Sequence, residues 1–386
     1  MKNVVEILNT DLEKVAELRA LAPLNQDGMV LKFIKRLSGY GECRFRVSTK
    51  DPIFDTLGDI LEPHKYHVRI KRANTTIWQG AIVDNPSRTK QYQEVRALEY
   101  LFYLDRVLVE RDTRTEASSE KHYRKFDSGT MKAAVKDMMD YAKTYFGSNH
   151  ILGSMTISNS NIDNPNFPNN YKKTNGQPLT GAWTFSSNLT LQFDYNSILF
   201  VLNSFALYAG CDYEIDNDLV FHFKTRLGTN KTNIGFVYGA RGNIIDYDIP
   251  RYGQRMANDL YGISATYDGE VLRSNKIDSE SQLTYGKLQD AMPFADVKDN
   301  NTLTTRVTEE LRYVKSPDNA PLSFVLNEKG YFLGAYDVGD IVTVKVDDGP
   351  ISYDQPRRIV QFVVSVHNTG REITTVETNK PKDEDL

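Results

Sequence analysis

Cysteine and histidine are scarce in this chain: 386 residues include 2 Cys and 6 His. Cys43 and Cys211 lie far apart in unlike sequence surroundings, which argues against a bridge, and no CxxC or Cys/His cluster offers the ligand spacing of a zinc site. The histidines, at 64, 67, 122, 150, 222 and 367, are scattered. Only His64 and His67 are close enough to face one ligand, and isolated histidines are usually structural. Long apolar runs are also missing. Nothing approaches the roughly 20 residues of a membrane-spanning helix, and Met1–Glu6 has no apolar leader core. The expectation is a soluble, cytoplasmically made protein with no integral membrane segment. Excess positive charge is absent too, with 47 Lys plus Arg against 51 Asp plus Glu for a formal net charge of −4. A general nucleic-acid binder needs a basic surface; a slightly acidic one suits a wall past which DNA moves without sticking.

The chemistry-bearing motifs are missing as well. There is no P-loop, dinucleotide fingerprint, nucleophile elbow or metal-binding His pair. Gly239-Ala240-Arg241-Gly242 has the wrong spacing to cradle phosphate and reads as a turn. Glycosidases need two carboxylates across a sugar, but Glu309-Glu310 and Asp347-Asp348 are not distinguished among 51 acids. No enzyme activity, cofactor or metal is expected.

What is abundant is packing material: 22 Tyr, 18 Phe and 40% hydrophobic residues. The length suggests two to four domains with a core that needs no covalent staples. Strand patterns dominate the first stretch. Val30–Ile34 and Cys43–Val47 flank the turn Ser38-Gly39-Tyr40-Gly41, and Cys43, Phe45 and Val47 alternate with charged residues. Tyr66–Arg72 and Thr76–Val83 flank the hairpin loop Ala73-Asn74-Thr75, and Tyr92–Ala97 alternates again. Residues 9–22 fit either a helical face or a hairpin around Asn9-Thr10-Asp11.

The middle of the chain reads differently. Met131, Ala134, Val135, Met138, Met139, Ala142 and Tyr145 recur at helical spacing, with Asp127 or Ser128 as N-cap and Gly147 past the end. A second helix runs over Ser197–Ala209, stopped by Gly210, and a hairpin follows around Asp216-Asn217-Asp218. Between the helices, Ser154–Asn188 is rich in Asn, Ser, Thr and Pro and carries Phe167, Tyr171, Trp183 and Phe185. Long polar stretches of this kind are solvated insertions or functional loops, so these four aromatics are the candidate inter-subunit or gating residues. The last third has a short helix around Thr304–Val314, then strands over Ile341–Val346, Arg358–Val366 and Glu372–Glu377, with a charged tail. Val68–Lys71 plus Ile77–Val83 echoes Val342–Lys345 plus Ile359–Val366, which two similar small barrels would explain.

The order of these segments resembles a known family. It runs from Ser38–Glu42 through the hairpin ending Ile77-Trp78-Gln79-Gly80, Tyr100–Leu108, helix 197–209 into Cys211–Asp216, and Ile244–Asp248, to Val338-Gly339-Asp340-Ile341-Val342 and a closing hairpin. This is similar to the tail-hub proteins of long-tailed phages, the structural part of the baseplate hub or tail tip. The resemblance implies an α+β, mainly β fold: two small tube-like β-barrel domains with a mixed α/β lateral insert. The implied division is a first barrel over 1–112, a lateral domain over 113–300, a second barrel over 301–378 and a flexible tail over 379–386, with part of 212–250 open to joining the second barrel. It further implies a homotrimer presenting six barrels in a ring. Its partners would be the distal tail protein, the tape measure protein and tail-tip or receptor-binding proteins, with DNA passing through unread, in a virion assembled in the host cytoplasm. The competing expectation is a receptor- or carbohydrate-binding tail protein that stacks sugars on Trp183 and Phe185.

Overall fold

The computed structural model describes residues 3–18, 21–54, 61–109, 124–126, 128–166, 181–185, 191–193, 196–240, 242–250, 253–264, 271–294, 297, 300–317, 321–326 and 334–379. The chain opens on a hairpin, β1 (Asn3–Leu8) with β2 (Lys14–Leu18), which settles the ambiguous stretch in favour of strands. The Asn9 carboxamide oxygen accepts from the backbone N–H groups of Asp11 and Glu13, and Leu12 takes φ +60°. This side-chain cap offers the backbone an alternative to a helical turn.

After the short β3 (Leu21–Ala22) come β4 (Met29–Arg36), β5 (Glu42–Ser48), β6 (His67–Arg72), β7 (Thr75–Arg88) and β8 (Tyr92–Leu98). Ala73 and Asn74 both have positive φ, the backbone of a two-residue hairpin turn whose twist matches its flanking strands. These strands lie in the order β4-β5-β8-β7-β6-β1-β2.

Next comes a mixed insert. It contains β9 (Arg124–Phe126), β10 (Gly129–Thr130), α1 (Met131–Phe146), β11 (Thr184–Phe185), β12 (Leu191–Phe193), α2 (Ile198–Ala209), β13 (Asp212–Ile215) and β14 (Phe221–Lys224). Thr130, not Asp127 or Ser128, caps α1 by accepting from the Ala133 N–H, and Gly147 ends it. The methionine face is buried as its spacing predicts, while Tyr145 points outward. Ser197 caps α2, and Gly210 closes it in the left-handed conformation.

A second strand group follows: β15 (Asn230–Val237) and β16 (Ile244–Asp248), then, after a further insert, β20 (Leu322–Leu326), β21 (Ile341–Asp348), β22 (Ile351–His367) and β23 (Glu372–Asn379). The insert is a small three-stranded sheet, β17 (Asp259–Ser264), β18 (Arg273–Ile277) and β19 (Gln289–Phe294), with α3 (Ser279–Tyr285) and α4 (Asn300–Val314). Leu303, Val307 and Leu311 of α4 pack on Leu260 and Phe294 in a core of their own. The helix expected at 304–314 therefore belongs to this insert, and the second strand group already begins at Asn230.

The two strand groups share a plan. The first runs β4-β5-β8-β7-β6 in space and the second β16-β20-β23-β22-β21, each taken in the same chain order, with every neighbouring pair antiparallel. The likeness extends to irregularities. The long middle strand of each slips register at the same place, between Ile82 and Asp84 in β7 and between Ile359 and Gln361 in β22, and β7 alone slips again between Asp84 and Ser87. Ile82 donates to Tyr66 O and accepts from His64 N; Ile359 donates to Asp340 O and accepts from Gly339 N. The flanking strands differ, since β1 pairs antiparallel with β6 and β15 pairs parallel with β21. An isolated bridge between Tyr238 and Ile244 brings the chain after β15 to β16, at the other end of the second group.

Candidate functional site

The place where the two strand groups meet is the candidate site. Strand β22 is long enough to serve twice. Its first half pairs with β21, and its second half pairs antiparallel with β4, from Gln361 opposite Arg36 to Val366 opposite Leu31. All the large-sheet strands are thereby joined into one sheet. Phe33 and Val364 face each other across the seam and are fully buried. The carbonyl of Val360, the residue at the slip, accepts from Leu37 N at 2.9 Å, and Arg36 Nε donates to Gln361 Oε1 at 2.6 Å. Each such bond contributes only about 1 kcal/mol net. What makes the seam specific is register: a one-residue slip would turn Phe33 and Val364 outward.

A second contact lies at the far side of the first group. Arg72, nearly buried, pairs with Glu372 and donates to Asn3 Oδ1 at 3.1 Å, and Asn3 Nδ2 donates to Glu372 Oε2 at 3.0 Å. The first sheet thus curls far enough for both its β4 side and its β1–β6 side to touch the second.

Charged groups collect where both strand groups meet the first insert. Lys35 Nζ lies 2.6 Å from Asp337 Oδ2. Burial works against the Lys35 charge, but Asp337, Glu99 and Glu214 outweigh it and hold its pKa above the ordinary lysine value. Burial pushes the Glu99 carboxyl up to about 8, against the pull of Lys35 and of the Gly41 N–H that it accepts. Glu214 is raised by burial as well. Nearby, Gly339 (φ +87°) and Gly228 (φ +79°) sit back to back: a Cβ on Gly228 would come within 2.2 Å of the Gly339 carbonyl carbon. That close approach explains the glycine in Val338-Gly339-Asp340. The Asp340 carboxylate fastens the same turn, accepting from Thr229 N at 2.7 Å and Asp337 N at 2.8 Å.

His64 and His67 do not converge. His64 is exposed, with Nδ1 3.3 Å from Tyr103 Oη, whereas His67 is buried against the Tyr100 ring. Neither ring nitrogen of His67 has a hydrogen-bond partner among the described residues. His150 stacks on Phe146 and meets Tyr103 edge-on. Among the described residues no group of His, Cys, Asp and Glu could hold a metal, and Cys43 and Cys211 are both buried thiols.

Of the four loop aromatics, Phe167 and Tyr171 lie outside the described residues. Trp183 and Phe185 are 0% and 4% exposed, and they are core. Trp183 packs edge-on against Phe185, and Phe185 against Phe126 and Phe205 of α2. The expectation that these two rings stack sugars is therefore corrected: they anchor the returning end of the loop to the helices. Sequence reading missed the outer half of β7, where Asp84, Asn85 and Pro86 signal a loop.

The seam has an unmatched counterpart on each side. Among the described residues, no strand pairs with the edge of β7 opposite β8 beyond Ile82, or with the outer edge of β16 beyond Ile244. These are the edges that correspond to β22 and β4.

This arrangement recurs in solved structures. The 43 kDa tail protein of prophage MuSo2 from Shewanella oneidensis superposes with a TM-score of 0.61 at 11% identity, covering 99% of both chains. A tail protein from Neisseria meningitidis MC58 gives 0.61 at 10% identity, covering 98% of this chain and 97% of its own. The prophage tail protein gp18 from Listeria monocytogenes EGD-e gives 0.54 at 13% identity, covering 99% and 96%. No family model and no curated protein matches the sequence. The chain therefore has the fold of phage tail proteins over its whole length, the class that the segment order had suggested.

Proposed function

We propose that the protein is a structural tail hub: three copies form a ring of six β modules that joins a sixfold tail tube to the tail tip and lets DNA through. The observation that carries this reading is the repeated strand plan, two modules per chain joined edge to edge by β4 and β22. Two quasi-equivalent modules in each of three subunits satisfy sixfold symmetry on one face and threefold symmetry on the other, and a head-to-tail contact of this kind closes into a ring when its rotation divides a full turn. In this reading each module curls into a small tube-like barrel, the second one closed near Tyr238 and Ile244, with residues 110–229 and 249–321 as lateral inserts. The distal tail protein and the tape measure protein dock on the ring's faces, and receptor-binding or tip proteins lie beyond. The formal net charge of −4 supports passage of DNA without retention. The segment 154–188 is the proposed lateral contact or gate, anchored by Trp183 and Phe185.

Mass photometry and negative-stain electron microscopy of the purified protein test the ring. A three-chain particle with a central opening, built from 44.0 kDa chains, is expected; a monomer at all concentrations contradicts the proposal. Deleting residues 168–180 tests the loop: unchanged trimerisation, tail assembly and infectivity would remove its role.

A further inference from the structure

We infer that copies of this chain join through strand pairing, with the outer edge of β7 in one copy receiving the outer edge of β16 from the next. The inference rests on the ring reading and names its contact. Within one chain, the β22 edge of the second module receives β4 of the first. By the shared plan, β7 is the counterpart of β22 and β16 the counterpart of β4, and neither of these corresponding edges has a strand partner among the described residues. The occupant is thus set by the molecule's own joint: a second copy repeats the contact that the first copy makes with itself.

The register follows from the ladders. Arg88 faces Gln93 of β8 as Val364 faces Thr374 of β23. Phe33 faces Cys43 of β5; in the second module the ladder pairs Tyr247 with Phe324 and Asp248 with Ser323, which places Ile249 beside Leu322, the counterpart of Cys43. Since Val364 pairs with Phe33, Arg88 pairs with Ile249 of the neighbour, and Asp248 falls beside Thr89.

Charge agrees with this placement. The β7 end carries Arg88 and Lys90, both exposed, and β16 carries Asp246 and Asp248, also exposed. Opposite charges thus approach along the new ladder, and such pairs favour one partner and one register. Ile245, 45% exposed on β16, is an apolar side chain on the same edge strand. Pro86 lacks a donor and keeps the β7 edge from accepting strands indiscriminately, a common protection of sheet edges.

Two measurements on the full chain test the contact. In the first, the protein carrying Arg88→Cys and Ile249→Cys is exposed to a mild oxidant and run on a non-reducing gel. Covalent two- and three-chain species are expected, with none from either single substitution; the native thiols are buried. In the second, Arg88→Glu with Lys90→Glu is expected to weaken trimerisation at least tenfold, and adding Asp246→Lys with Asp248→Lys to restore it. A trimer that neither cross-links nor responds to charge reversal overturns the inference and leaves the hub reading standing. A wild-type chain that stays monomeric overturns both.

Discussion

Arg358 and Asp212 form an ion pair in the interior where the second module touches the first insert, each about 10% exposed. Arg358 also donates to Gly339 O at 3.1 Å and Leu227 O at 2.9 Å, and Asp212 accepts from Leu227 N at 2.9 Å. Both charges are fully engaged, so removing one strands the other in a low-dielectric setting. Asp212→Ala is expected to cost about 3–5 kcal/mol, seen as a lower urea midpoint at unchanged slope. Asp212→Ala with Arg358→Met should recover part of the loss, because no unpaired charge remains.

Trp183 separates the core role of the loop end from a surface role. Trp183→Ala is expected to lose about 3–5 kcal/mol by opening a cavity among the rings around α2, and calorimetry of the purified protein reads it. A variant with wild-type stability would contradict the burial described.

Acid sensitivity should come from the histidines between the first module and its insert. Burial, with a contribution from His150, lowers His67 to about 4, and burial together with the His64 charge lowers His150 to about 4. The unfolded chain takes up these protons first, near the ordinary value of 6.5, so stability is fully present above about 6.5 and is lost as the pH falls toward 4. For His67 alone, the drop from 6.5 to about 4 corresponds to roughly 3 kcal/mol. His67→Phe is expected to flatten the slope of stability against pH between 6.5 and 4, measured by denaturant melts.

Glu99 should act with the opposite sign. Its folded pKa, about 8, lies above the unfolded value, so its contribution is present below about 4.5 and is lost as the pH rises through 8. Glu99→Gln keeps an acceptor for Gly41 N and removes the ionisation. The variant is expected to gain stability relative to wild type as the pH rises from about 4.5 to 8, and equal slopes in variant and wild type over that range would refute the assignment.

How far the sequence carried can be seen in particular residues. Helix α2 was legible because Ser197, an apolar face and Gly210 all agree, and the β6–β7 hairpin because strand periodicity flanks Ala73-Asn74. Residues 9–18 were not, since Leu12, Val15 and Leu18 fit both periods and the deciding contacts, the Asn9 cap and the docking of the hairpin's first strand, β1, on β6, are respectively side-chain specific and distant. The sheet 259–294 was missed because its strands pair out of sequence order around β17, and the outer half of β7 because Pro86 reads as a break. Burial of Trp183 was invisible, because composition marks a polar stretch and says nothing of where one aromatic ring within it docks.

Strand β22, Ile351–His367, takes part in the ladders of both modules. A tug along its axis loads those bonds in shear, all at once, whereas peeling would break them one at a time. The halves of the chain therefore cannot swing as separate bodies without unzipping that strand. Any opening that occurs therefore has to leave this shared strand whole.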